Sequence, residues 1–300
     1  MNDTAREMVL NAPVHQAWWQ YPNIDPVALE LGGLQLHWYG LMYLLGFAFF
    51  WWVGRRMAQH HPVWSRQAVD DFLFYGALGV MLGGRLGYIL FYDWAHYLAH
   101  PLAVFKVWQG GMSFHGGMLG VIVAMLWFAR KRLQVPALCV SDFVVVLVPM
   151  GLFFGRMGNF INGELWGALT QSPLGMKMFD PQLNQWVLRY PTQLFEALLE
   201  GVVLFALLMV LYTKRPPVGV ISGAFLLGYG VFRFLIEFWR VPDPQLGYLA
   251  WGWLTMGQVL SVPMILIGAG LIVWARQRGL TWATVAQSAT DAAPTHARKG

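Results

Sequence analysis

The chain has 300 residues, of which 57% are hydrophobic and only 12% charged. A soluble domain carries about 25% charged residues, so a water-exposed globule is excluded. The net charge of +5 does not point to nucleic acid, because the basic residues gather between apolar runs, and the single cysteine, Cys139, excludes an intramolecular disulfide.

Residues 1–36 lack a basic start followed by an apolar core, so no cleavable signal is expected there. The first apolar run would serve as both signal and anchor. Trp18, Trp19, Tyr21 and the proline-containing stretch after them suit an external arm at the membrane interface. Seven apolar segments follow, each near the length that a bilayer requires: 38–54, 71–91, 114–129, 139–158, 193–212, 219–238 and 254–275. The third is the shortest, and Pro149 and several glycines interrupt the fourth. Glycines at four-residue spacing (Gly79, Gly83, Gly87; Gly116, Gly120; Gly151, Gly155) suggest close helix packing. The longest loop is 160–191. Residues 279–300 are small and polar and read as a disordered tail. The expectation is an all-α integral membrane protein with seven transmembrane helices, its body running from 37 to 278.

Loop charge sets the orientation. Arg55, Arg56 and Arg66 follow the first span, Arg130, Lys131 and Arg132 the third, Lys214 and Arg215 the fifth, and Arg276 and Arg278 the seventh. The alternate loops are poorer in Lys and Arg. Basic loops stay in the cytoplasm, so the N-terminus is expected outside and the C-terminus inside.

Charged groups are costly inside a bilayer and usually face a cavity or the bundle interior. Four polar patches stand out. In span six, Tyr229, Arg233 and Glu237 are four residues apart and share one helix face, with Arg240 continuing it. An Arg233–Glu237 ion pair that merely locks helices together would account for part of this stripe. Span four ends in Gly155-Arg156-Met157-Gly158-Asn159-Phe160-Ile161-Asn162-Gly163-Glu164. A helix C-terminus explains Arg156 and one glycine, but not Asn159, Asn162 and Glu164 together. Span three opens on Ser113, an N-cap candidate, and His115, which is weak evidence alone. Span one opens on His37-Trp38-Tyr39-Gly40, in keeping with an interfacial aromatic belt. On the expected orientation all four patches face the outer side, and Arg85, late in span two, joins them.

The segment Gly155–Glu164 closely resembles the signature of the bacterial prolipoprotein diacylglyceryl transferase family. The His37-Trp-Tyr-Gly, His115-Gly-Gly, Pro191-Thr-Gln-Leu and Tyr229–Arg240 segments resemble that family's other motifs, in its order, over roughly 37–275. The resemblance implies a bacterial inner-membrane enzyme acting near the periplasmic face. It would move diacylglyceryl from phosphatidylglycerol to the lipobox cysteine of a preprolipoprotein, forming a thioether and releasing glycerol 1-phosphate. It also implies functional roles for Tyr39, His115, Arg156, Asn159, Glu164, Gly167, Tyr229, Arg233 and Glu237. Two positions depart from the family: Tyr190 stands where His is frequent, and Phe195 where Tyr is common. A structural role is expected for that loop.

Such a reaction needs a thiolate, an in-line glycerol carbon and a stabilised phosphate leaving group. No Cys/His cluster has metal-ligand spacing, so no metal and no cofactor are expected and arginines must supply the positive charge. Arg is planar, permanently charged and able to bind phosphate through two parallel hydrogen bonds. Arg156 and Arg233 are the leading candidates for binding phosphatidylglycerol, with Arg85 and Arg240 in support and Glu164 and Glu237 orienting them. For the base, imidazole suits neutral pH and favours His115. Tyr229 beside Arg233 is the rival. A transporter would explain intramembrane charge, but no inverted repeat is visible and the polar groups gather at one face rather than the midplane. An intramembrane protease lacks its motifs: there is no Asp–Asp pair, HExxH or GxSxG.

Overall fold

The computed structural model describes residues 18–106, 110–242 and 247–291. Each expected span coincides with a helix: α1 (Trp38–Ala58), α2 (Arg66–Tyr92), α3 (Phe114–Phe128), α4 (Ala137–Ile161), α5 (Thr192–Thr213), α6 (Val220–Ile236) and α7 (Met256–Arg278). Five of them are long and apolar enough to cross a membrane: α2, α4, α5, α6 with its following turn to Trp239, and α7. The 15 residues of α3 continue into a π turn at Ala129–Leu133. Aromatic residues and two arginines dilute the aliphatic content of α1. Serines fix two of the starts. Ser65 Oγ accepts from Ala68 N at 3.1 Å before α2, and Ser113 Oγ accepts from Gly116 N at 3.2 Å before α3, each satisfying a donor that the helix leaves open.

The chain divides into two compact units. The first comprises residues 1–48, 146–214 and 221–273. It holds two small antiparallel sheets that the all-α expectation omitted. Strands β1 (Val27–Leu31) and β2 (Leu34–His37) pair across Gly32 and Gly33, whose φ values of 54° and 87° are those of a tight hairpin turn. Strands β3 (Met176–Asp180) and β4 (Gln185–Arg189) form the second hairpin, inside the loop 160–191. The arm docks on this hairpin: Lys177 N donates to Trp19 O at 3.0 Å and Tyr21 N to Lys177 O at 2.8 Å. Residues 1–17 of the expected arm lie outside the described residues.

Asp180 closes the second hairpin. Its Oδ1 accepts from the N–H of Gln182 and Leu183, and its Oδ2 from Arg189 Nε and Nη2 at 3.0 and 2.6 Å. Burial alone would raise the carboxyl's pKa. The bonds from Arg189 and the two amides outweigh that effect and hold it below the usual value. The charged form therefore favours the folded hairpin. That stability is present above about pH 4 and is lost as pH falls through the lower folded value. Protection factors of the amides across 176–189, taken against the intrinsic rate at each pH, should fall in acid, and Asp180→Asn should remove that pH dependence.

The second unit comprises residues 49–145, 215–220 and 274–300. Here α2 and α3 pack through the expected glycines. A Cβ on Gly79 would strike the backbone of Gly120, and one on Gly87 the backbone of Gly116. Backbones this close leave no room for larger residues. On α4 in the first unit, Gly151 does meet another helix, since a Cβ on Gly46 of α1 would stand 3.7 Å from its Cα, whereas Gly155 has open space where a Cβ would stand. Trp64 is 2% exposed and stacks on Phe143 with ring centroids 4.2 Å apart.

The expected disordered tail is also corrected. Residues Trp282–Asp291 form a helix, α8. Thr281 Oγ1 accepts from Thr284 N at 3.2 Å and so caps it. Trp282 and Val285, three residues apart, are both buried. The segment is polar on average yet amphipathic, and one apolar stripe is enough to dock it. Residues 292–300 lie outside the described residues.

Candidate active site

Within the first unit, three helices bring together three arginines and three glutamates. Arg156 comes from α4, Glu196 and Glu200 from α5, and Arg233 from α6, with Glu237 and Arg240 in and just after the 3-10 turn that follows it. Glu196 is the hub. Its Oε1 accepts from Arg233 Nη1 at 2.7 Å and Arg240 Nη1 at 2.6 Å. Its Oε2 lies 2.9 Å from Arg156 Nε, close enough for an ion pair but not aligned as a hydrogen bond. Glu237 sits beneath the other side. Its Oε2 is 3.0 Å from Arg233 Nη2 and 3.3 Å from Arg240 Nε, and its Oε1 accepts from Thr255 Oγ1 at 3.0 Å. Glu200 Oε2 is 4.0 Å from Arg156 Nη2.

Burial gives this cluster its character. The side chains of Glu196 and Glu200 are 0% exposed, whereas those of Arg156, Arg233 and Arg240 keep 20%, 19% and 18%. The carboxyls are buried behind and the guanidiniums form the accessible surface. Buried charges persist only when paired, and here each arginine has a carboxylate behind it. Several guanidinium contacts are satisfied by proximity rather than by aligned hydrogen bonds, which leaves donors for an anion. A fork of several N–H groups fixed in a poorly hydrated site suits a phosphate oxygen.

The signature loop after α4 is held from below. Asn159 Nδ2 and Asn162 Nδ2 donate to the Glu164 carboxylate at 3.3 and 3.1 Å, so Glu164 is paired with amides rather than with an arginine. Gln193 Nε2 donates to Glu164 O, and Thr192 Oγ1 to Leu165 O at 3.0 Å. Leu165 adopts φ 59°, in the left-handed region, where a non-glycine residue needs such support. Gly167 N donates to Tyr190 O at 2.8 Å, and Arg189 Nη1 to Gly167 O at 3.0 Å. A Cβ on Gly167 would strike Trp239 O, Thr192 and Tyr190. Gly167→Ala should therefore cost about 1–3 kcal/mol through overpacking, read as a lowered thermal midpoint.

Tyr39 packs against Gly158, where a side chain would overlap its ring, and its ring meets Tyr43 edge-on at 5.3 Å. Tyr229 stacks on Phe225, one turn before Arg233. Arg85 and His115 belong to the second unit. Arg85 is buried and its guanidinium is occupied by carbonyls: Nε donates to Val104 O at 3.0 Å, Nη1 to Gly110 O at 2.6 Å, and Nη2 to Ala103 O at 2.6 Å. It clamps the segment before α3. His115 is exposed in the first turn of α3. Cys139 is fully buried, which removes it as a nucleophile.

The family model for prolipoprotein diacylglyceryl transferase matches residues 26–274. The chain belongs to the prolipoprotein diacylglyceryl transferase family. Proteins named phosphatidylglycerol--prolipoprotein diacylglyceryl transferase are similar to it along most of its length. One from Hydrogenovibrio crunogenus is 66% identical over 258 residues, 86% of this chain and 96% of that protein. One from Nitratidesulfovibrio vulgaris is 56% identical over 253 residues, 84% and 95% of the two chains. One from Pseudomonas putida is 55% identical over 260 residues, 86% and 96%. As a member of the prolipoprotein diacylglyceryl transferase family, the chain is a transferase built on apolar helices.

The reading of the sequence missed Glu196 and Glu200. They were detectable by the argument applied to Arg233 and Glu237: two carboxylates four residues apart in an otherwise apolar span.

Proposed function

We propose that this chain transfers the diacylglyceryl group of phosphatidylglycerol to the lipobox cysteine of preprolipoproteins, with Arg156, Arg233 and Arg240 as its phosphate site. The observation that carries the reading is the guanidinium surface backed by Glu196. The cysteine sulfur attacks the glycerol carbon that bears the phosphate, the C–S bond forms, and the C–O bond breaks. The electron pair leaves on the phosphate oxygen of glycerol 1-phosphate. Charge builds on that oxygen in the transition state, where fixed cations stabilise it most. Asn159 and Glu164 hold the signature loop beside this site, Gly167 lets its backbone close, and Tyr39 borders it. Glu237 fixes Arg233, while Arg85 serves through the segment it clamps.

The thiol proton needs an acceptor. His115 is the candidate, and Tyr229 is the alternative. The membrane setting supports the reading. The basic clusters after α1, α3, α5 and α7 favour a seven-span chain in the bacterial inner membrane, with its N-terminus in the periplasm and the arginine cluster near the outer face. A site at headgroup depth suits chemistry on a lipid headgroup.

Incubating the purified protein with phosphatidylglycerol and a lipobox peptide should yield a peptide carrying the mass of diacylglyceryl; no adduct overturns the reading. His115→Gln should abolish that adduct while phosphatidylglycerol still binds, and Tyr229→Phe should retain transfer. The reverse pattern assigns the proton to Tyr229.

A further inference from the structure

A cavity of about 300 Å³ opens in the second unit between the turn after α1 and the start of α8. His60, His61, Arg215, Thr281, Trp282 and Ala283 line it, and no carboxylate does so among the described residues. Arg215 follows closely on α5, and Trp282 closely on α7. Both helices are apolar enough to cross a membrane, which puts residues just past their ends near the headgroups, and the cavity shares no residue with the transferase motifs.

Its walls are donors. Arg215 brings a guanidinium and His60 an imidazole, and both are exposed. The first-turn N–H groups of Trp282 and Ala283 have no protein acceptor among the described residues, and they sit at the positive end of a ten-residue helix. His61 Nδ1 accepts from the N–H of Val63 and Trp64 at 3.1 and 3.0 Å. Burial, with Arg215 adding to it, pushes the His61 pKa down to about 4. The ring is therefore neutral at physiological pH, with its proton on Nε2. The same ring meets Trp282 edge-on at 4.5 Å, so the cavity and the docking of α8 share one residue.

We infer that this cavity binds a phosphate group, whose tetrahedral oxygens accept from Arg215, His60 and the first turn of α8 together. A guanidinium fork matches phosphate, and a helix N-terminus favours an anion. The phosphate belongs either to a membrane lipid or to a free phosphate, since both present the same oxygens. Once bound, it fastens α8 to the turn after α1, supplementing the bond from Val218 N to Leu280 O at 2.8 Å and the burial of Trp282 and Val285.

Limited trypsin digestion of the full chain in detergent tests this by the release of the peptide that begins at Gly279, after Arg278. The probes are dihexanoyl phosphatidic acid, inorganic phosphate and, as the phosphate-free control, dihexanoylglycerol. At ten times its Kd, a phosphate probe should slow release roughly tenfold, and the control should not. Protection by the lipid alone assigns a headgroup, and protection by both phosphates shows that the free ion suffices. The double variant Arg215→Gln/His60→Gln should lose the protection while keeping transferase activity, because neither residue belongs to that site. The inference is overturned if neither phosphate protects the wild type, if dihexanoylglycerol protects equally, or if the double variant is still protected.

Discussion

Glu196→Ala is expected to abolish transfer. The carboxylate is 0% exposed and faces three guanidiniums, with Arg233 and Arg240 bonded to one oxygen and Arg156 beside the other. Its loss leaves three like charges without their shared anion. Breaking a buried ion pair by removing one partner costs about 3–5 kcal/mol. Taken from transition-state binding, that is about two to four orders of magnitude in kcat/KM, at about 1.4 kcal/mol per factor of ten. Glu196→Gln separates charge from shape, because the amide keeps the volume and one acceptor but not the neutralisation. It should fold with a modestly lower thermal midpoint and still lose most turnover. Full activity in Glu196→Gln would show that the cluster holds helices together and does not prepare the arginines.

Arg233→Lys should lower kcat/KM by about a hundredfold, the scale of removing one preorganised donor from a developing oxyanion. Arg233 spans two carboxylates at once, 2.7 Å from Glu196 and 3.0 Å from Glu237. A lysine ammonium is a point charge with no planar fork, so it cannot span both and also present an edge to phosphate. The charge is kept, so thermal stability should change little. Near-normal turnover would count against phosphate binding at this position. A fall in kcat with KM unchanged would place the contact in the transition state.

The helices were legible because a bilayer imposes long apolar segments, and hydropathy alone marks them within a few residues. Arg233, Glu237 and Arg156 were legible because a charge in such a segment is costly and stands out. Glu196 and Glu200 carried the same signal, and only their distance in sequence from the signature hid them. The hairpin of β1 and β2 was marked by Gly32-Gly33, whereas α8 was obscured because average polarity masked an apolar stripe of two residues.

Spacing and charge by themselves determined the membrane class of the protein and singled out Arg156 and Arg233, because helix period and bilayer length are local constraints, while the motif segments carried the family resemblance. Only the tertiary structure decided which residue holds those arginines. Glu196 reaches Arg156, Arg233 and Arg240 from 37 to 44 positions away, and no local pattern specifies a pairing between helices. The same holds for Arg85. A buried arginine among glycines looks like a ligand for phosphate until five backbone carbonyls are seen around it. A guanidinium keeps part of its surface accessible where the fold has placed a carboxylate behind it, as for Arg156, Arg233 and Arg240, rather than carbonyls around it.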